Sequence, residues 1–383
     1  MKSVGIICEY NPFHNGHLHH LKTVKEMFPN YAIVLVMSGN FTQRGDIGII
    51  NKWDKTEIAL TAGVDLIIEL PFAFATQSAD TFARASIEIL NHLQVDAIVF
   101  GSESGDIKKL IDVAKIQLNN KKYDKLVKSY LDEGINYPTA LSKAIKDLTN
   151  IRISKPNDIL SVSYIREILK LNSKIKPYTI IRENNYNDDY LYDNITSATS
   201  IRTALKNNIE ITNQVPEFVI PYLKSPIFIE NYYSLLKYKI LSDRNRLNIY
   251  QSVDEGIENR INKFIVHSTT FDELILKVKT KRYTYNKLNR MFTHILCSFT
   301  KEEAAKLREI EYIRVLGFNN KGRQYLNQIK KEVKIPIITN FSSIKSDLLD
   351  LEFRATSIYA SILNENEKQK LIDMEYKSFP IMK

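Results

Sequence analysis

The predicted architecture depends most on one stretch near the N-terminus, Val4-Gly5-Ile6-Ile7-Cys8-Glu9-Tyr10-Asn11-Pro12-Phe13-His14-Asn15-Gly16-His17-Leu18. Its apolar opening predicts a buried strand, and the pattern that begins at His17 predicts a helix. A strand, a tight loop and a helix start together can hold phosphate, because a helix N-terminus offers unpaired N–H groups and a partial positive charge. Gly16 lets the backbone approach a ligand with no Cβ in the way.

The histidines of this segment favour phosphate chemistry over metal binding. Four of the chain's seven histidines lie between His14 and His20. Imidazoles beside a helix start can stabilise the charge that develops when an α–β phosphate bond breaks. Zinc is the alternative ligand, but Cys8 and Cys297 show no ligand spacing, and no acidic residue follows the histidines at three or four positions. We therefore predict no metal site and regard His14 and His17 as catalytic candidates.

Short apolar runs alternate with helical patterns and predict a Rossmann-like, doubly wound parallel sheet. The strand-like runs are Val4–Cys8, Ala32–Met37, Leu66–Leu70, Ala97–Phe100 and Tyr178–Arg182. The helical patterns are His17–Met27, Lys52–Ala62, Ala79–Leu93 and Ile159–Leu171. Branched apolar residues suit strands that are covered on both faces. Ligands of such folds bind at the carboxyl ends of the strands.

Charge divides the chain into two parts. Residues 1–230 carry 26 basic and 26 acidic side chains, whereas residues 231–383 carry 27 basic and 18 acidic ones. The whole net charge of +9 therefore belongs to the second part. A basic part joined to a neutral one predicts a polyanionic partner, and a lysine-rich surface without a partner is an equal alternative.

Prolines at positions 216, 221 and 226 and a change to mainly helical patterning predict a domain boundary. We expect an α/β catalytic domain over residues 1–225 and a mainly helical, basic domain over residues 226–383. No apolar run approaches the roughly 18 residues of a membrane span, and Met1-Lys2-Ser3 lacks the layout of a signal peptide. Two cysteines without a disulfide framework fit a reducing compartment, so we expect a cytoplasmic protein.

A second helix start with phosphate-binding chemistry follows the fifth strand, at Ser197-Ala198-Thr199-Ser200-Ile201-Arg202. Hydroxyl groups at a helix N-terminus offer donors, and an arginine one turn later adds a fixed charge. Alone, this pattern is more typical of an ordinary capped helix. Together with the histidine motif it predicts phosphate or substrate contacts from Ser197, Thr199 and Arg202.

His-x-Gly-His directly behind a strand is typical of the nucleotidyltransferase superfamily, whose members attack the α-phosphate of a nucleotide and release pyrophosphate. Longer strings, in order along nearly the whole chain, resemble the bacterial tRNA(Met) cytidine acetate ligases. These strings are Gly5–Leu18, Met37–Gly45, Asp65–Phe72, Phe100–Glu103, Asn157–Leu160, Ser197–Arg202 and Tyr312–Phe318.

The resemblance implies an RNA-modifying ligase that converts acetate and ATP to acetyl-adenylate and pyrophosphate. The acetyl group then passes to N4 of the wobble cytidine of elongator tRNA(Met) and gives N4-acetylcytidine. The implied substrates are ATP with Mg²⁺, acetate and tRNA, without acetyl-coenzyme A. No oligomeric state follows from the sequence.

The resemblance also implies a set of ATP-binding residues, one loop and three later positions. They are Ile7, Cys8, Glu9, Tyr10, Asn11, Pro12, Phe13, His14, Asn15, Gly16, His17, Leu18, His19, His20, Gly101, Asn157 and Arg182. The strand pattern agrees, because Gly101 follows the fourth strand and Arg182 ends the fifth. Many relatives carry a histidine before Ser197, but Asn184–Tyr190 contains none, so we assign no catalytic base there.

The loop after the second strand is a further candidate. Ser38, Gly39 and Arg44 are predicted to contact phosphate or substrate, and a turn capped by Ser38 and Asn40 is an equal alternative. The partner of Arg44 stays open between an acetate carboxylate and a tRNA phosphate.

Within the basic part, a short span is predicted to bind tRNA through Lys281, Arg282, Lys287 and Arg290. Tyr283 and Tyr285 interleave these charges and could stack unpaired bases. The alternative is a solvated helix face with the tyrosines packed inward.

Two other functions are compatible with the motifs. One is a small-molecule adenylyl- or cytidylyltransferase of cofactor metabolism, which shares the histidine motif but has little use for a basic domain. The other is a non-catalytic tRNA-binding protein, against which the intact His14, Gly16 and His17 argue.

Overall fold

The structure is a computed structural model that describes residues 1–182, 196–377 and 379–383. The strands are β1 (Ser3–Cys8), β2 (Ala32–Ser38), β3 (Leu66–Leu70), β4 (Ala97–Ser102), β5 (Lys176–Ile181), β6 (Ile313–Phe318), β7 (Ile337–Ile338) and β8 (Ile381–Met382). The α-helices up to the second predicted helix start are α1 (Asn15–Met27), α2 (Lys52–Ala62), α3 (Phe72–Ala75), α4 (Ala79–His92), α5 (Ile107–Asn119), α6 (Lys121–Asp132), α7 (Tyr137–Thr149), α8 (Pro156–Lys170) and α9 (Ala198–Lys206).

The remaining α-helices are α10 (Tyr233–Ser242), α11 (Ile257–Phe264), α12 (Phe271–Val278), α13 (Tyr285–Leu296), α14 (Lys301–Lys306), α15 (Asn320–Ile329), α16 (Asp347–Ala360) and α17 (Glu365–Lys377). Short 3₁₀ helices occupy Glu217–Leu223, Ile229–Tyr232, Leu247–Ile249 and Phe341–Ser343. Among the described residues, no helix is both long and apolar enough to span a bilayer.

One sheet organises the molecule, in the order β5-β4-β1-β2-β3-β6-β7, with β8 also paired to β6. The first five strands are parallel, as the sequence predicts. Strand β2 is buried along its whole length, which agrees with a sheet that helices cover on both faces. The order reverses between β1 and β4, and this crevice is where such folds bind ligands.

The second part of the chain is not helical throughout, because β6, β7 and β8 join the same sheet. Strand β6 runs antiparallel to β3, and β8 runs parallel to β6. Gly317 permits this packing, since a Cβ there would lie 2.7 Å from Cγ2 of Thr56 and 3.0 Å from Cδ1 of Leu60 on α2. The division at residue 225 stays a prediction, and the sheet itself extends across it.

A buried cluster of charges fastens the C-terminal helices to the sheet. Nζ of Lys52 lies 2.5 Å from Glu69 on β3, 3.2 Å from Glu352 on α16 and 2.8 Å from Glu375 on α17. Arg314 on β6 bonds Glu69 and Glu375. The three carboxyl groups have the spacing of a metal site, but the side chains of Lys52 and Arg314 already pair with them. Burial and the charge of Glu69 raise the pKa of Glu352 to about 8, which favours its neutral form at neutral pH and brings the charge of the cluster closer to balance.

We expect Lys52→Met to lower the free energy of unfolding by about 3–5 kcal/mol, because removal of one partner leaves buried charge uncompensated. Urea denaturation at neutral pH measures this change. Glu352→Gln is the matched control, since the amide can still accept the hydrogen bond that Phe72 N–H donates to Glu352. Equal losses in the two variants would contradict the proposed charge balance.

Candidate active site

A cavity opens at the carboxyl ends of β1, β4 and β5, beside the starts of α1, α8 and α9. It contains about 1010 Å³ of space, part of it open to solvent, which is sufficient for a small-molecule ligand. Its lining residues are Ile7, Cys8, His14, Gly16, His17, His19, His20, Phe100, Gly101, Asn157, Leu160, Ser161, Tyr164, Ile180, Ile181, Arg182, Thr196 and Ser197.

His14 and His17 form the N-terminal cap of α1. Nδ1 of His14 accepts a hydrogen bond from Gly16 N–H at 3.1 Å, and Nδ1 of His17 accepts one from His14 N–H at 3.3 Å. The two ring centroids are 3.8 Å apart. Because each Nδ1 is an acceptor, the neutral tautomer of each ring carries its proton on Nε2. Both imidazoles are therefore arranged to donate from Nε2.

Burial keeps these imidazoles neutral. Burial, aided by the charges of Arg182 and Arg202, lowers the pKa of His14 to about 3. The pKa of His17 falls well below its usual value through burial and the proximity of His14, and burial lowers that of His20 to about 4. The site thus presents hydrogen-bond donors and a helix N-terminus to an anion, without a carboxylate to repel it among the described lining residues.

The lowered pKa of His14 predicts that acid destabilises the ligand-free protein. Between pH 6.5 and about 3 the unfolded chain binds more protons than the folded one, so the free energy of unfolding falls as pH falls. Replacement by a capping residue that does not titrate, His14→Asn, should reduce the loss between pH 7 and pH 5 by about 2 kcal/mol in urea titrations.

The exposed His267 supplies the control for this measurement. His267→Asn should leave the acid-induced loss of stability close to that of the unmodified protein. If His14→Asn also left it unchanged, His14 would not be a desolvated neutral imidazole.

Reciprocal capping holds the opposite wall of the cavity in place. The Glu103 carboxylate accepts hydrogen bonds from Asn157 N–H, Asn157 Nδ2 and Asp158 N–H. In return, Oδ1 of Asp158 accepts from the backbone of Glu103 and Ser104. Nη1 of Arg182 donates to Oδ1 of Asn157 at 3.3 Å. Gly101, Asn157 and Arg182 therefore lie together, as predicted.

Gly101 lets Arg182 cross the end of β4. A Cβ at this position would lie 3.0 Å from Cγ and 3.3 Å from Cδ of Arg182. The arginine stem thus occupies space that any other residue would fill. The absence of a side chain at Gly101 therefore allows the Arg182 side chain to pack closely against the strand.

Ser197 caps α9, where its Oγ accepts a hydrogen bond from Ser200 N–H at 3.0 Å, and it also lines the cavity. Thr199 and Arg202 do not line it. Nη1 of Arg202 donates to Asn11 O at 2.8 Å, and Nη2 lies 3.4 Å from the Asp46 carboxylate. Arg202 therefore supports the loop before α1 from outside the cavity.

Several other predicted residues also lie outside the cavity lining. They are Glu9, Tyr10, Asn11, Pro12, Phe13, Asn15, Leu18, Ser38, Gly39 and Arg44. The side chain of Asn11 bonds the backbone of Ile47 and Ile49, and Glu9 accepts from Gln43 N–H. Their contacts brace the loop that carries the histidines. The segment Asn184–Tyr190, in which no base was assigned, lies outside the described residues.

Part of the cavity wall, on α8, was not predicted from the sequence. Leu160, Ser161 and Tyr164 line the cavity together with the predicted Asn157. Positions three, four and seven residues after Asn157 share one face of a helix, so helical periodicity could have found them. Phe100 extends this wall, with its ring centroid 5.7 Å from that of Tyr164.

The predicted tRNA-binding residues lie at the start of α13 and in the segment before it. Nη1 of Arg290 lies 3.4 Å from Gln43 O, and burial with the charge of Arg44 lowers the pKa of Arg290 to about 10. Nζ of Lys287 lies 3.8 Å from the centroid of the Tyr283 ring. Tyr283 is only 3% exposed and cannot stack on a base, whereas Tyr285 is 41% exposed.

Comparisons with known proteins agree with this geometry. Residues 1–374 match the model of the HIGH nucleotidyl transferase family. The tRNA(Met) cytidine acetate ligase of Geobacillus sp. (strain WCH70) is 40% identical, with 100% of both chains covered. The enzyme of that name from Caldicellulosiruptor bescii is 42% identical, with 100% of this chain and 98% of the relative covered.

Solved structures give the same result. Thermotoga maritima TmcAL (apo, form I) has a TM-score of 0.91 and 32% identity, covering 100% of this chain and 99% of that one. The same protein bound with alpha-thio ATP (form II) has a TM-score of 0.90 and 32% identity. The fold and the family model make this chain a HIGH nucleotidyl transferase. Within that class, the chain belongs to the tRNA(Met) cytidine acetate ligase family.

Proposed function

We propose that this protein is an ATP-dependent ligase that acetylates N4 of the wobble cytidine of elongator tRNA(Met) from acetate. The observation that carries the proposal is the pair of neutral imidazoles at the start of α1, both with Nε2 as donor, in a cavity at the switch point of the sheet. Family membership supports acetate, and not a phosphorylated metabolite, as the group to be activated.

The site suits the first half-reaction, attack of an acetate oxygen on the α-phosphorus of ATP. The bond from that phosphorus to the bridging oxygen breaks, and pyrophosphate leaves with the electron pair. The Nε2–H groups of His14 and His17 and the α1 N-terminus stabilise the negative charge that develops on the phosphate oxygens. Arg182 adds a fixed cation from the other wall.

The described cavity lining contains no carboxylate, so it does not provide the oxygen ligands of a dedicated Mg²⁺ site. We propose that Mg²⁺ enters on the phosphate oxygens of ATP. In the second half-reaction, N4 of the cytidine attacks the acetyl carbonyl carbon, the bond from that carbon to the phosphate oxygen breaks, and AMP leaves with the electron pair while N4 loses a proton to solvent. Acetyl-coenzyme A is not needed. Cytoplasmic location also remains a proposal.

We expect His17→Ala to lower acetate-dependent exchange of pyrophosphate into ATP by about 10²–10³-fold, because one preorganised donor to the developing charge is lost. The exchange assay measures the first half-reaction without tRNA. His267→Ala, on an exposed position, is the matched control and should exchange normally. Near-normal exchange by His17→Ala would show that the imidazole has only a capping role.

The acyl donor is tested directly by incubation of the protein with tRNA(Met), ATP and either acetate or acetyl-coenzyme A. Mass spectrometry of the digested nucleosides should detect N4-acetylcytidine with acetate. Product formed only with acetyl-coenzyme A would overturn the proposal. Pyrophosphate exchange driven by a phosphorylated metabolite instead of acetate would favour the small-molecule transferase.

We propose that tRNA binds along α13 and the segment before it. This surface adjoins the loop after β2, since Thr293 donates to Gly45 O at 2.6 Å and Nδ2 of Asn289 donates to the Asp46 carboxylate at 2.6 Å. The same carboxylate lies beside Arg202, which supports the histidine loop. A substrate phosphate held here would be close to the acetyl-forming site.

Charge reversal at Lys281, Arg282 and Lys287 should weaken tRNA acetylation and spare pyrophosphate exchange. Each lost phosphate contact should flatten the salt dependence of tRNA binding by roughly 0.7–0.9 in log–log slope. Adding Arg290→Glu to the triple variant should weaken tRNA acetylation further. Because Arg290 also packs on the Gln43 backbone, the triple and the quadruple variant are both measured.

The matched control reverses three exposed lysines of α6, Lys121, Lys122 and Lys125, and so makes the same change in net charge on the other part of the chain. This control should acetylate tRNA normally. Equal loss of tRNA binding in both triple variants would place the tRNA elsewhere. A parallel fall in pyrophosphate exchange would assign the α13 residues to the ATP site or the core.

A further inference from the structure

Ser161 on α8 combines burial, a place in the cavity wall and an unsatisfied hydroxyl. The residue is 1% exposed and lines the cavity. Its Oγ has no hydrogen-bond partner among the described residues. A buried polar atom without a partner costs free energy, so such an atom in a ligand cavity indicates a contact that the ligand completes.

One other lining residue in the described part of the chain shares this property. Nε2 of His20 on α1 is buried and unpaired. His20 lies three residues after His17, and Ser161 lies four residues after Asn157, so each is one turn further from its helix N-terminus. In the function proposed above, the phosphates bind at the α1 N-terminus and at Arg182, which is hydrogen-bonded to Asn157. One turn along each helix therefore leads from the phosphates toward the nucleoside part of a bound nucleotide.

The surroundings of Ser161 indicate which part of the nucleoside it meets. Phe100, Leu160 and Tyr164 line the same wall and present an apolar surface with two aromatic rings. Such a surface accommodates a planar heterocycle better than a ribose, whose hydroxyl groups would need several polar partners. A single hydroxyl suits the polar edge of a purine.

We propose that Ser161 binds the purine base of ATP, with its hydroxyl hydrogen-bonded to a nitrogen on the edge of the base. The proposal deepens the function proposed above and rests on ATP binding in this cavity. Ser161 then contributes to the affinity for the nucleoside and leaves the phosphate chemistry to His14, His17 and Arg182.

Calorimetric titration of Ser161→Ala tests this role. The variant should bind ATP and adenosine about 3- to 10-fold more weakly, as expected for one neutral hydrogen bond, and should bind tripolyphosphate normally. In pyrophosphate exchange the KM for ATP should rise by the same factor while kcat is unchanged. The variant should fold, because it removes an unpaired buried hydroxyl and leaves no partner behind.

Ser86→Ala is the matched control, since Ser86 on α4 is also buried and unpaired but does not line the cavity. It should bind ATP like the unmodified protein. The titration of Ser161→Ala is repeated with 2′,3′-dideoxy-ATP. If the variant still binds this analogue more weakly than the unmodified protein does, the result supports contact of the hydroxyl with the base. Equal affinity of the variant and the unmodified protein for this analogue would assign the hydroxyl to the ribose and overturn the proposal.

Equal ATP affinity in Ser161→Ala and the unmodified protein would also overturn it, while leaving the proposed ligase function intact. Failure of the unmodified protein to bind ATP would overturn the ligase function itself. Whether the unmodified protein binds ATP therefore distinguishes the two failures.

Discussion

The buried ammonium of Lys52 is the interaction on which the rest of the structure depends. It joins β3 to the last two helices, so side chains at positions 352 and 375 contribute to the core of the first hundred residues. The cluster also reaches the end of β2, because a Cβ on Gly39 would lie 3.1 Å from Oε1 of Glu69. The absence of a side chain at Gly39 thus allows the Glu69 carboxylate to approach the backbone closely. The predicted substrate contact of Gly39 stays a prediction.

A second buried lysine carries this constraint to the active site. Nζ of Lys55 donates to the carbonyl oxygens of Glu9, Ser38 and Gly39, which follow or end β1 and β2. Burial lowers the pKa of Lys55 to about 7, and the three carbonyl groups satisfy its hydrogen atoms. The loop that leads to His14 thus starts from a position that the charge cluster and Lys55 together define.

The sequence predicted the parallel strands and the helix start behind β1 because these depend on local patterns, a buried strand followed by a helix start. It did not predict that His14 and His17 cap this helix with their own side chains. It predicted Gly101, Asn157 and Arg182 through family resemblance, and the structure brings them together. It did not predict β6, whose pairing with β3 joins residues about 250 positions apart. Nor did it show that Arg202 points to Asn11 O, since a helix-start motif does not specify what lies opposite.

Asp46 connects α13, on which we propose that tRNA binds, to the helix start at α9. One oxygen of its carboxylate accepts from Asn289 on α13, and the other lies beside Arg202 on α9. Gly45 makes this approach possible, because its φ is +81° and a Cβ would lie 2.3 Å from Arg290 N. Any shift of α13 would therefore move the loop after β2, which contains Gly45 and Asp46. That loop is hydrogen-bonded through Asn11 and Arg202 to the segment that carries the two histidines. The basic part of the chain is thus connected by a chain of hydrogen bonds to the loop before α1.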